Sequence, residues 1–301
     1  MKPYRICVPV LGAVLALCAP SLAAQGWEAS TQASGWAKQD KDDSFTFYVP
    51  ATRTLNTWMQ DGGLMQSIPL AKLEGAPNRW VIDPRNNAWV AHGLTLTQFD
   101  RNGGKITSTK LPAVVGDICW DTKGFVLSYR SPEPYLEKRD YKGNVMWSFG
   151  AKPPRENDET PAPRNVRPIV MNDAGHVLMA DGSSLNLSIL DGETGKKINE
   201  TKFLLPLGQP PLPLEGPVTE RDSIALWAGK GVTFAALKAS QIPSLLRGSL
   251  QGRVLARLDL NTSQIEFLPT GLEDGFQLVG VLGSNALFVS PKGGLMQVQV
   301  H

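Results

Sequence analysis

This chain has few of the residues from which covalent and metal chemistry is usually built. Three cysteines and three histidines occur in 301 residues. Cys7 and Cys18 lie within the first two dozen residues, so removal of that segment would leave Cys119 alone and no intrachain disulfide could form. Neither His92 nor His176 has a histidine, cysteine or carboxylate partner at ligand spacing, and His301 is the last residue, so no metal site is read. No Gly-x-Ser-x-Gly elbow, phosphate-binding glycine loop or haem-attachment motif occurs. The many Asp/Asn/Gly turns lack the alternating oxygen ligands and distal glutamate of an EF-hand. No cofactor is identified.

The chain also lacks a surplus of one charge. Lys2 and Arg5 belong to the first segment, and without them 28 basic residues face 28 acidic ones. Nucleic-acid and anionic-membrane binders carry a basic excess, so neither partner is expected. The apolar run from Ile6 to Leu17 is too short for a membrane span. With the basic start before it and Ser21-Leu22-Ala23-Ala24 after it, the run reads as a secretory signal over 1–24, cut near Ala23 or Ala24. Leu17 before Cys18 does not suit a lipoprotein signal. The expected product is exported, periplasmic or extracellular, with a loosely ordered polar leader over 25–43 and one domain over 44–301.

Helical spacing is nearly absent beyond Phe45, and a repeat stands in its place. Short apolar runs alternate with Asp, Asn and Gly turns, as in an all-β protein. One pattern is strand, tight turn, strand: Val81 to Ala91, Ile118 to Leu127 and Ile169 to Leu178, with turns at Asp83, Asp121 and Asp173. A second follows it: Leu96 to Lys105, Leu136 to Val145, Leu187 to Lys196 and Leu255 to Thr262, with a weaker copy at Leu55 to Gly63. Gly and Asn accept positive φ, and Asp bonds its own turn amides. The two hairpins together make a unit of roughly 40 residues, the length of a propeller blade. The expected fold is a single all-β propeller of about six four-stranded blades, closed by N- and C-terminal strands, with Phe45 to Val49 pairing with the final sheet.

The inner hairpins resemble those of six-bladed propellers of the NHL and TolB-like type, mainly over Asn78 to Leu205. Leu190 to Lys196 also resembles a quinoprotein-type blade turn, but Trp58, Trp80, Trp89, Trp120, Trp147 and Trp227 fall at different places in their units and are read as packing residues. The resemblance implies a fold; its motifs specify turns and leave the chemistry open. Cys119, between Ile118 and Trp120, is read as a small buried hydrophobe.

The connections are unequal. Turns joining strands one to two and three to four are tight, whereas Arg130 to Tyr135, Lys152 to Asn165, Pro206 to Arg221 and Lys238 to Gln251 all belong to the opposite face. Insertions gathered on one face mark a binding face. The expected function is therefore a non-catalytic module that binds a protein or small-molecule ligand there. Candidate ligand-binding residues are Arg130, Glu133, Arg155, Arg164, Arg167 and Asp181. Arg155, Arg164 and Arg167 would suit an acidic ligand, although Glu156, Asp158 and Glu159 lie beside them. The alternative is a lactonase-like hydrolase or a lyase at the channel mouth, with a divalent ion allowed there.

Overall fold

The computed structural model describes residues 36–40, 43–59, 62–130, 136–150, 167–180, 185–203, 224–291 and 294–300. They form six antiparallel sheets. Four have four strands each: β4 to β7 (Arg79–Ile82, Ala88–His92, Thr95–Phe99, Lys105–Lys110), β8 to β11 (Val115–Trp120, Gly124–Tyr129, Leu136–Asp140, Val145–Phe149), β12 to β15 (Ile169–Met171, His176–Ala180, Leu187–Asp191, Lys197–Thr201), and β16 to β19 (Ala225–Gly229, Val232–Lys238, Arg253–Asp259, Gln264–Leu272). Two have three: β1 to β3 (Phe45–Val49, Thr54–Trp58, Leu64–Pro69) and β20 to β22 (Gln277–Leu282, Asn285–Val289, Leu295–Gln299).

Burial explains why these runs are strands of stacked sheets. The second strands are buried on both faces, as in β9 and β13, while the fourth strands β7, β11 and β15 are largely exposed. Six apolar cores fill the six gaps between neighbouring sheets. Five join consecutive sheets; the sixth packs Phe45 and Phe47 against Val279, Leu287, Val289 and Leu295, so the last sheet meets the first. A ring of this kind is a six-bladed β-propeller.

The turns follow from side-chain chemistry. Asp83, Asp100, Asp121, Asp140, Asp191 and Asp259 each accept backbone N–H bonds from residues two to four positions on. In the fourth blade the equivalent residue is Asn172, whose Oδ1 accepts from His176 N, and not Asp173 as the spacing suggested.

Ring closure differs from the sequence expectation. Phe45–Val49 pairs with Thr54–Trp58 in its own sheet, and its meeting with the last sheet is side-chain packing. By burial, β1 to β3 match the second to fourth strands of other blades. The first-strand position is taken by residues 36–40: Gln39 bridges to Phe45, Asp40 N donates to Ser44 O, and Gln39 N donates to Val279 O on β20. The expected loose leader therefore does not extend through these residues. The connection from Lys238 to Gln251 also holds helix that strand periodicity could not show: a 3₁₀ turn at Ala239–Gln241 and α1 at Ser244–Arg247.

Candidate functional site

The first strands of the blades face the channel, which has two ends. At the turn end lie the tight one-to-two turns; at the loop end lie the longer connections. Two of the sequence candidates are described, and both belong to the loop end. Arg130 follows β9 and donates its N–H to Val114 O; Arg167 precedes β12 and its carbonyl accepts from Ser128 Oγ at 2.6 Å. Both are half-buried, on adjacent blades. Glu133, Arg155, Arg164 and Asp181 lie outside the described residues.

The axis itself is locked by the 36–40 segment. Lys38 Nζ donates to Asp117 Oδ2 at 2.8 Å, Ile118 O at 2.9 Å and Ile169 O at 2.5 Å, joining the first blade to the third and fourth. Asp117 is buried and also accepts from Ile118 N and Ile169 N. An ion pair so placed needs these extra hydrogen bonds to offset the loss of water. Gln39 Oε1 accepts from Trp227 Nε1 at 2.9 Å and Val281 N at 2.7 Å, and Asp40 Oδ1 accepts from Trp120 Nε1 at 2.9 Å. Trp36 meets Trp80 edge-on, with centroids 4.7 Å apart, and lies beneath the Arg79 guanidinium at 5.2 Å.

Above this lock, at the turn end, a recess of about 390 Å³ opens. It is bounded by Asp40 and Asp43 from the first blade, Trp120 and Asp121 from the third, Asn172 and Asp173 from the fourth, Trp227 and Lys230 from the fifth, and Val279 and Val281 from the sixth. Sequence reasoning missed it, because its attention lay on long connections and this recess is built from short ones. The available signal was tryptophan placement: Trp120 immediately precedes its turn and Trp227 lies two residues before Gly229. The packing reading of the six tryptophans holds in the cores, and Trp120 and Trp227 in addition line the recess.

Behind the recess lies a second buried charge pair. Lys138, fully buried, donates to Asp121 Oδ2 at 2.6 Å and Gly192 O at 2.7 Å. For the Asp121 carboxyl, burial works upward, but the Lys138 bond and the amides of Lys123 and Gly124 bring it below the ordinary range. Cys119 is buried as expected, and burial pushes its thiol up to about 12. Among the described residues no three His, Cys, Asp or Glu side chains gather as a metal would require, and no described helix is long and apolar enough to cross a membrane.

No protein-family model matches this sequence, and no curated protein matches it. Solved structures do. A catalytically inactive histidine-to-alanine form of virginiamycin B lyase from Staphylococcus aureus with Quinupristin is 15% identical at a TM-score of 0.55, covering 88% of this chain and 80% of that one. A streptogramin B lyase is 10% identical at 0.57, covering 90% and 84%. A putative exported protein from Bacteroides fragilis NCTC 9343 is 9% identical at 0.53, covering 89% and 90%. Identities this low speak to the fold, and together with the six interlocked sheets they show a six-bladed β-propeller resembling the NHL and TolB-like type at the level of fold.

Proposed function

We propose that this chain is an exported, non-catalytic propeller that binds a ligand or protein partner at the ends of its ring. The observation that carries this reading is the locked axis. The central ammonium, Lys38, is committed to Asp117 and two carbonyls, and Asp121 to Lys138, so these groups serve the scaffold and not proton transfer. The lyase alternative has a fold-level precedent in the similar structures. That S. aureus lyase is described as inactive after a histidine-to-alanine change. In this chain His92 ends β5 with its ring 3.2 Å from Thr97 Oγ1, and His176 opens β13 two blades away, so the described histidines do not converge. Export is supported by the N-terminal pattern and by the similarity to a putative exported protein. At the loop end, Arg130 and Arg167 are the described members of the proposed partner surface.

The test is a turnover screen over lactones, esters and streptogramin B, run beside an Arg130→Ala/Arg167→Ala double variant. No turnover is expected from either. Turnover by the parent that is lost in the variant would establish the enzyme alternative at the loop end.

A further inference from the structure

The gap between the fifth and sixth blades holds, at the turn end, a cleft of about 220 Å³ separate from the recess. Trp227, Val232 and Phe234 wall it on the fifth blade and Val300 on the sixth. The Trp227 and Phe234 ring centroids are 6.1 Å apart, and the indole N–H is committed to Gln39 Oε1, so this wall offers a ligand carbon and ring surface. Small-molecule sites are mostly apolar with a few placed polar groups, and a volume this small selects a compact body.

The charged groups of the cleft are both basic. Lys230 and Arg257 line it, and among the described residues no carboxylate does. Both are exposed, and among the described residues neither forms an ion pair. The turns give the reason. Inner hairpins of the first four blades carry an acid at the turn, Asp43, Asp83, Asp121 and Asp173. The two hairpins that border the cleft carry none: Gly229 pairs with Val232 around Lys230-Gly231, and Leu282 pairs with Asn285 around Gly283-Ser284. Carboxylates lie only in the neighbouring hollows. Lys230 is shared with the recess, which holds Asp43 and Asp173, and Arg257 with an outer groove, which holds Asp259 and Glu266. Asp259 is engaged by its own turn, since its Oδ1 accepts from Asn261 N and Thr262 N. Arginine presents planar paired donors that suit a carboxylate, and a lysine beside it adds attraction without fixing geometry. A cationic ligand is opposed by both groups, and a neutral ligand uses only the apolar wall.

We propose that this cleft binds a small aromatic carboxylate, with the ring against Trp227 and Phe234 and the carboxylate held by Arg257 and Lys230. The proposal rests on the binding-module reading and gives it a ligand class at the turn end. It is tested by calorimetry and indole fluorescence on the full chain with three probes of like size: phenylacetate, its neutral amide phenylacetamide, and the ammonium phenethylamine. Phenylacetate is expected to bind, the amide to bind roughly tenfold more weakly, and the amine not to bind. Arg257 and Lys230 are exposed, so Arg257→Gln and Lys230→Gln should leave the fold intact. Each should weaken phenylacetate by roughly threefold and leave the amide unchanged. Equal or tighter binding of the amide or the amine overturns the carboxylate class and leaves a binding module. Phenylacetate affinity indifferent to Arg257→Gln, the cation that the recess lacks, places the anion elsewhere and overturns the site. No binding by any probe overturns the cleft as a ligand site, while the loop-end reading stands or falls on its own turnover screen.

Discussion

The four complete blades and the seam between the last blade and the first are built on different terms. In β4 to β19 every one-to-two and three-to-four hairpin except β16–β17, which turns through Lys230-Gly231, is held by an Asp or Asn that accepts amides a few residues away, and each sheet packs on a neighbour adjacent in sequence. At the seam the bonds join distant residues. Gln39 reaches Val281 across 242 positions, Trp227 reaches Gln39 across 188, and Lys38 reaches Ile169 across 131. Closing such loops costs more entropy than closing a hairpin, and a few side chains offset it. The complete blades gain stability from repetition, whereas the seam depends on individual residues.

The sharpest way to break this contrast is to remove the axial ammonium. Lys38→Met leaves the buried Asp117 carboxylate without its counter-charge, which costs about 3–5 kcal/mol. The expected reading is a fall in urea midpoint with the slope unchanged. The Lys38→Met/Asp117→Asn double variant should recover part of the loss, since it also removes the stranded charge. A midpoint within error of the parent for Lys38→Met alone would place the seam's stability elsewhere.

A smaller effect is expected inside a complete blade. A Cβ at Gly124 would lie 2.0 Å from the Arg139 carbonyl oxygen on the paired strand β10, contact that backbone must move to relieve. Gly124→Ala should cost about 1–3 kcal/mol, with neighbouring hairpins containing the damage. A loss larger than that of Lys38→Met would reverse the order of the two regions.

Acid should separate the regions more gently. The carboxyls of Asp140, Asp191 and Asp259 are held below the ordinary value of 3.8; for Asp191 and Asp259 the largest cause is a backbone amide bond, while for Asp140 burial works upward and the bonds from Asn144 outweigh it. A lowered folded-state pKa means that the contribution is fully present above about 3.8 and fades as pH falls through the folded value. Asp191→Asn should therefore flatten the acid limb of stability against pH slightly and leave neutral pH nearly unchanged. A variant that loses as much stability at neutral pH as in acid would show that the turn tolerates no amide.

These differences also set what could be read from sequence. The turns at Asp83, Asp100, Asp121 and Asp140 declare themselves, since the chemistry that makes them is local and repeated. The blade count follows from them. Residues 36–40 were illegible by comparison: Trp36, Lys38 and Asp40 look like solvated leader, while Lys38 reaches Asp117 across 79 positions, Asp40 reaches Trp120 across 80, and Trp36 packs on Arg79 and Trp80 in the next blade. Still, Ala37, Gln39 and the later Asp43-Ser44-Phe45 have the strand, turn, strand order of the other inner hairpins, with polar residues standing for apolar ones. The recess followed the same rule, because it is assembled from the ends of five separate first strands. Of the loop-end candidates, only Arg130 and Arg167 lie among the described residues.

Cys119 offers the finest probe of whether seam and blades are one cooperative unit. Its side chain sits in the core between the third and fourth blades, where it borders the recess, and is nearly inaccessible. Burial raises its thiol pKa to about 12, outweighing the pull of Lys38 and Lys138 toward the thiolate. At mildly alkaline pH the folded protein should therefore react with a thiol reagent only through opening, at a rate set by the population of the open form. In the parent chain labelling should be slow and follow global unfolding. If the ring unfolds as one body, Lys38→Met should speed labelling of Cys119 by the factor its lost stability implies, roughly tenfold for each 1.4 kcal/mol. Labelling that stays at the parent rate while the urea midpoint falls would mean that the seam opens by itself, and that the complete blades keep their order without it.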